Sequence, residues 1–154
     1  MFLSLIRLSV VFFLSAGVAQ ACFCDYEKIP NVSDSYSKAT VVFSGTVIAR
    51  GKYGIWFKVD HTWKGARSKT IYLYTGNAIG ECYALYGNYG QTSDWLIYGY
   101  RDRVYRGKNA KRPYTYKLMS RACDRTKPLA SPYAADDVRA LDKLRSARMA
   151  RAAR

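Results

Sequence analysis

The chain has 154 residues and 25 lysines and arginines against 11 acids, a formal charge of +14 at neutral pH. That length suits one domain with a real core. The single histidine, His61, excludes a two-histidine metal site and leaves no second choice of general base, and no Gly-rich phosphate loop or nucleophile elbow is present, so the chain is read as a non-enzyme without a cofactor.

Residues 1–21 read as a secretory signal peptide. One charge, Arg7, precedes an apolar run from Leu8 to Leu14, and small residues lead to Ala19-Gln20-Ala21. The run is too short to span a bilayer, which takes about 20 apolar residues. Cleavage after Ala21 predicts a secreted or periplasmic chain of residues 22–154, a single domain that begins on Cys22 and carries +13 once Arg7 is gone. A lipoprotein signal also places cysteine first. It prefers a branched aliphatic where Ala19 stands, so a form lipid-anchored through Cys22 is the lesser alternative.

All four cysteines, Cys22, Cys24, Cys82 and Cys123, lie in the exported part. An even count in an oxidising compartment predicts two disulfides. Lone cysteines 58 and 41 residues apart do not form two zinc knuckles. A Cys22–Cys24 ring across one residue is disfavoured by bridge geometry. The terminal pair therefore reaches outward, one cysteine to Cys82 and one to Cys123, with either assignment open. Both staple an N-terminus that would otherwise fray.

Ser33 is a candidate cap for a short helix over Asp34 to Ala39. The stretch Val41 to Ala49 predicts a first strand with Gly45 as a bulge or coil point, and Arg50 to Gly54 a hairpin turn. Ile55, Phe57 and Val59 alternate with Trp56, Lys58 and Asp60, a second, half-buried strand turned by Trp63-Lys64-Gly65. Thr70 to Tyr74, Asp94 to Tyr100 and Tyr114 to Met119 are the third, fourth and fifth strands. Between the third and fourth, Thr75 to Ser93 is a long Gly-, Asn- and Tyr-rich connection containing Cys82; such loops are usually functional or tied down. Ala134 to Ala153 has a strong helix composition, with Asp136 and Asp137 in the first turn and Val138, Leu141 and Leu144 as a narrow docking stripe. Arg145, Arg148, Arg151 and Arg154 recur along its end, a basic C-terminal helix. Five strands and flanking helices predict a mainly β fold, a small closed five-stranded barrel of the oligomer-binding (OB) type.

Tyrosines and cations interleave from Tyr100 to Tyr114. Barrels of this class can bind nucleic acid through aromatic and basic residues. For an exported protein the expected polyanion is an anionic surface or polysaccharide, with no nucleic acid partner expected. The chain is expected to be a monomer.

Taken in order, Cys22-x-Cys24, Val42-Phe43-Ser44-Gly45-Thr46-Val47, Phe57-x-Val59-x-x-x-Trp63-Lys64-Gly65, Cys82, Trp95-Leu96-Ile97-Tyr98 and Cys123-Asp124-Arg125-Thr126-x-Pro128-Leu129 resemble the tissue inhibitor of metalloproteinases family, in particular its short bacterial, netrin-like members. The resemblance spans nearly the whole mature chain. It implies a netrin-like OB barrel, with disulfides Cys22–Cys82 and Cys24–Cys123. It also implies inhibition of a zinc metalloprotease, with the α-amino nitrogen and carbonyl oxygen of Cys22 serving as main-chain ligands to the protease's zinc. Phe23 would enter the specificity pocket. Cys22, Phe23, Cys24 and Asp25 would form the protease contact, joined by Gly80, Glu81, Cys82 and Tyr83 from the long connection. The chain lacks the third disulfide and the second cysteine-rich domain of animal members, and Asp25-Tyr26 stands where a small apolar residue and proline often follow the second cysteine. A non-inhibitory module of the same fold, bound to an anionic surface, is the alternative.

Overall fold

Two apolar runs, Val41 to Phe43 and Trp95 to Tyr98, are buried along their whole length rather than on alternate residues. The reason is that each belongs to a strand covered on both faces. The computed structural model describes residues 29–75, 94–109, 111, 114–121 and 123–154. In chain order these form α1 (Val32–Lys38), β1 (Val41–Gly51), β2 (Gly54–Lys64), β3 (Thr70–Tyr74), β4 (Asp94–Tyr105), β5 (Tyr114–Met119), β6 (Lys127–Pro128) and α2 (Ala134–Ala152).

The main strand order is β3-β2-β1-β4-β5, with every neighbouring pair antiparallel. The fourth strand returns beside the first, which is a Greek-key order. The first half of β4 lies on β1, from Val41 opposite Gly99 to Thr46 opposite Asp94. Its second half, Tyr100 to Tyr105, lies on β5, and β6 covers the same edge at Trp95 and Leu96.

The sheet curls but remains open, which corrects the expected closed barrel. β3 runs alongside β5, yet among the described residues no backbone ladder joins them. The pairings explain this. β3 matches the start of β2, at Gly54 to Lys58, while β5 matches the far half of β4, so the two edge strands are staggered along the sheet. Side chains meet across the seam instead. Lys117 of β5 sits over the Tyr74 ring of β3 at 5.9 Å, and Leu118 and Ile71 pack against the same core.

That core lies on the concave face and comprises Val41, Phe43, Ile55, Phe57, Leu73, Trp95 and Ile97, with Phe43 and Phe57 edge to face at 6.1 Å. A second core lies on the convex face, where Val42, Leu96, Tyr98 and Tyr100 meet Ala39, Trp63 and Leu141. The pleat sends odd residues of β1 to one core and even residues to the other. β2 keeps the expected alternation from Ile55 to Val59 but not to its end, since Trp63 packs with the helices although Phe57 faces the concave core. Register irregularities opposite Ser44/Gly45 and Val42/Phe43 lie between them. At Gly45 an added Cβ would stand 2.5 Å from the Lys58 carbonyl oxygen, so the irregularity needs glycine there.

The helices close the convex face. α1 starts two residues before the expected point because Asn31, not Ser33, is its cap; the Asn31 side chain accepts from the Asp34 amide at 2.8 Å. Lys64 donates to the Tyr36 and Ser37 carbonyls at the other end of α1, at 2.7 and 2.9 Å. α2 docks through Leu141, which is fully buried, and Trp63 Nε1 donates to Asp142 at 2.7 Å.

Candidate functional site

The residues expected to touch a protease, Cys22, Phe23, Cys24, Asp25, Gly80, Glu81, Cys82 and Tyr83, lie outside the described residues, as does the expected Cys22–Cys82 bridge. The described residues show what lies beside them in the chain: the segment at Ile29-Pro30, and the loop that carries Cys123.

That loop, residues 120–126, leads from β5 to β6 and fills the edge of β4 between the two strands. Its organiser is Asp124. The carboxylate accepts from the Ser120 hydroxyl at 3.1 Å, the Arg121 amide at 2.9 Å and the Thr126 amide at 2.7 Å. Thr126 in turn accepts from the Tyr98 amide at 2.9 Å, standing in for a strand partner at that point of β4. Burial pushes the Asp124 carboxyl up to about 6 despite these donors. Cys123, next to Asp124, takes part in a disulfide whose partner lies outside the described residues.

The following residue ties the loop to the start of the described chain. Arg125 Nη1 donates to the Pro30 carbonyl at 3.1 Å, across 95 positions of sequence. The same guanidinium holds Asp137, in the first turn of α2, through Nε to Oδ2 at 2.9 Å, and Lys127 reaches the same oxygen at 3.0 Å. Asp137 is 1% exposed and the hydrogen bond it accepts holds the Arg125 pKa above its ordinary value. The sequence reading assigned Asp137 to the helix dipole. The signal that could have found this cluster is Arg125 and Lys127, two apart in an extended segment and so on one side of it.

A second surface lies on the outer half of the β4–β5 hairpin. β4 continues past the expected end at Tyr100 to Tyr105, and its alternation brings Arg101, Arg103 and Tyr105 to one face, opposite Leu118, Tyr116 and Tyr114. Arg103 lies over the Tyr114 ring at 4.2 Å, Arg101 over Tyr116 at 5.4 Å, and the rings of Tyr105 and Tyr114 are 5.4 Å apart. Tyr105, Tyr114 and Tyr116 are 51%, 45% and 60% exposed. His61 takes no part in either surface. It is exposed, its ring tilted against Trp63 with centroids 4.5 Å apart, and lies 3.0 Å from the Arg145 guanidinium.

No family model, curated protein or solved structure matches the chain. Among the described residues, no group of three or more His, Cys, Asp or Glu side chains is placed to hold a metal, and no helix is long and apolar enough to cross a membrane.

Proposed function

We propose that the protein is an exported inhibitor of zinc metalloproteases that works through the amine and carbonyl of a mature N-terminal Cys22. The observation that carries this reading is the tie between the start of the described domain and the loop that carries Cys123. Arg125 bonds the Pro30 carbonyl, six positions after Cys24, and it stands two residues from the bridged Cys123. A Cys24–Cys123 disulfide is consistent with that proximity, and it would hold the first residues of the mature chain against the domain. The sheet supports the reading in a second way. Five antiparallel strands in Greek-key order with one unmade pairing are what a partly open OB barrel has, the fold that the resemblance to metalloproteinase inhibitors implies.

The chemistry follows from an anchored terminus. Catalytic zinc keeps an open coordination position. An α-amino group with a pKa of about 7.7–8.0 has a usable neutral fraction near pH 7, and coordination drives off the remaining proton. Two disulfides beside the amine reduce the ordering cost of placing it on the metal. Phe23, between the two cysteines, would then select a deep apolar pocket.

The test compares the processed protein with a form carrying one extra alanine before Cys22, against a panel of zinc metalloproteases. Intact mass first establishes that the amine is free. Inhibition by the processed form, abolished by the added alanine at an unchanged melting temperature, is the expected result. Equal inhibition by both forms, or none by either, overturns the reading.

A further inference from the structure

We propose that the exposed outer half of the β4–β5 hairpin binds an acidic polysaccharide, with Arg101 and Arg103 pairing with uronate carboxylates. This inference does not depend on protease inhibition, since it concerns a surface built from other residues.

Three observations carry it. Charge is concentrated there: from Tyr100 to Arg121 the sequence holds eight lysines and arginines against Asp102 alone. Asp102 is turned away from Arg101 and Arg103 by the pleat and is paired with Arg121 at 3.2 Å. Among the described residues neither Arg101 nor Arg103 has a carboxylate partner, so both guanidinium groups keep their donors for a ligand.

The arrangement selects a polymer over a single small anion. The two guanidinium groups are spaced by two strand residues, about 7 Å, along an open ribbon. Such a row suits carboxylates repeated along a chain.

The aromatic rings then decide between polymer classes. Arg103 covers Tyr114, Arg101 covers Tyr116, and Tyr105 leans on Tyr114. Binding of single-stranded nucleic acid relies on free ring faces on which bases stack. Here a guanidinium lies over Tyr114 and another over Tyr116, and the Tyr105 and Tyr114 rings meet at a tilt of 56°. The cation–ring contacts place guanidinium N–H donors beside exposed tyrosines on one face of the ribbon. A hydroxyl-rich chain bearing carboxylates matches that set of donors and acceptors, and a stack of bases does not.

The test uses the full processed chain and polygalacturonate as the probe, with an oligothymidine of matched charge as the competing polymer, both at about 0.15 M salt where weak general attraction is screened. Three proteins are titrated: wild type, the double variant Arg101→Gln/Arg103→Gln, and Arg151→Gln/Arg154→Gln, which removes the same charge from the exposed end of α2. The hairpin variant should bind polygalacturonate at least about tenfold more weakly, as expected for lost charge-assisted hydrogen bonds, with its melting temperature unchanged. The helix variant should lose no more than about twofold, the scale of a distant screened charge. Equal losses from the two variants, wild-type binding by the hairpin variant, no binding by wild type, or tighter binding of oligothymidine than of polygalacturonate each overturn the proposal.

Discussion

Arg125 and the buried Asp137 form an ion pair that joins three parts of the chain. The guanidinium reaches the carboxylate from the β6 side, while its remaining Nη1 donor holds the Pro30 carbonyl. Lys127 adds a second cation to the same carboxylate. One side chain thus fixes the first turn of α2, the loop carrying Cys123 and the entry of the N-terminal segment. An acid left between two cations is stabilised where it is. The cations left without the acid are not, because each would remain partly desolvated beside the other.

Asp137→Asn should therefore cost about 3 kcal/mol or more, since it leaves two partly buried cations without their acid, and Arg125→Ala less, since Lys127 still pairs with Asp137. Urea unfolding of the oxidised protein gives both values. The double variant Arg125→Met/Asp137→Leu removes the charges together and should recover part of the loss. If the single variants are each within about 0.5 kcal/mol of wild type, the range of ordinary surface substitutions, the pair does not hold these elements.

The turn after β2 makes a second demand on the sequence. Gly65 has a φ of +67°, and a Cβ placed on it would lie 2.3 Å from the Thr40 carbonyl oxygen. Both the backbone conformation and the space exclude a side chain. Gly65→Ala should destabilise by about 2 kcal/mol through strain and overpacking. Gly107 is the control: its φ is also positive, at +113°, but nothing lies within 4 Å of its Cβ position. Gly107→Ala is strained by its backbone alone, and a Gly65→Ala loss within about 0.5 kcal/mol would show that neither the conformation nor the Thr40 contact demands glycine at Gly65.

Much of the sheet was legible because burial leaves a period in the sequence. Ile55 and Phe57 alternate with Trp56 and Lys58, and the structure buries the first pair while Trp56 stays 44% exposed. The same reasoning stopped β4 at Tyr100, five residues short. From Arg101 to Tyr105 both faces carry polar or exposed residues, so no apolar period marks the ribbon. β6 was missed for a different reason: two residues, one of them Pro128, have no pattern to show. Barrel closure was overread, because strand number and length say nothing of the stagger that separates β3 from β5. Of the chemistry, the sequence showed interleaved Tyr and Arg but not which rings stack on which cations. It could not show that Asp137 is buried, since a first-turn aspartate at an exposed helix start looks the same. The expected protease contact, at residues 22–25 and 80–83, rests on spacing and resemblance.

Asp124 links this fold to pH. Its carboxyl is raised from 3.8 to about 6 by burial, against the pull of the Ser120, Arg121 and Thr126 donors. In the folded protein the acid then holds its proton to higher pH than in the unfolded chain. Between about pH 4 and 6 the folded state binds more protons, so stability from this group is present at low pH and is lost as pH rises through 6. Above that the loss is constant, on the order of 3 kcal/mol for a shift of about two units. The quantity that isolates this group is the stability of wild type relative to Asp124→Asn, by urea unfolding at pH 4, 5, 6 and 7. Wild type should lose ground against the variant across this series and then level off. A difference independent of pH, or one that moves in favour of wild type as pH rises, would show that the donors outweigh burial and that the carboxylate is the form the loop is built to hold.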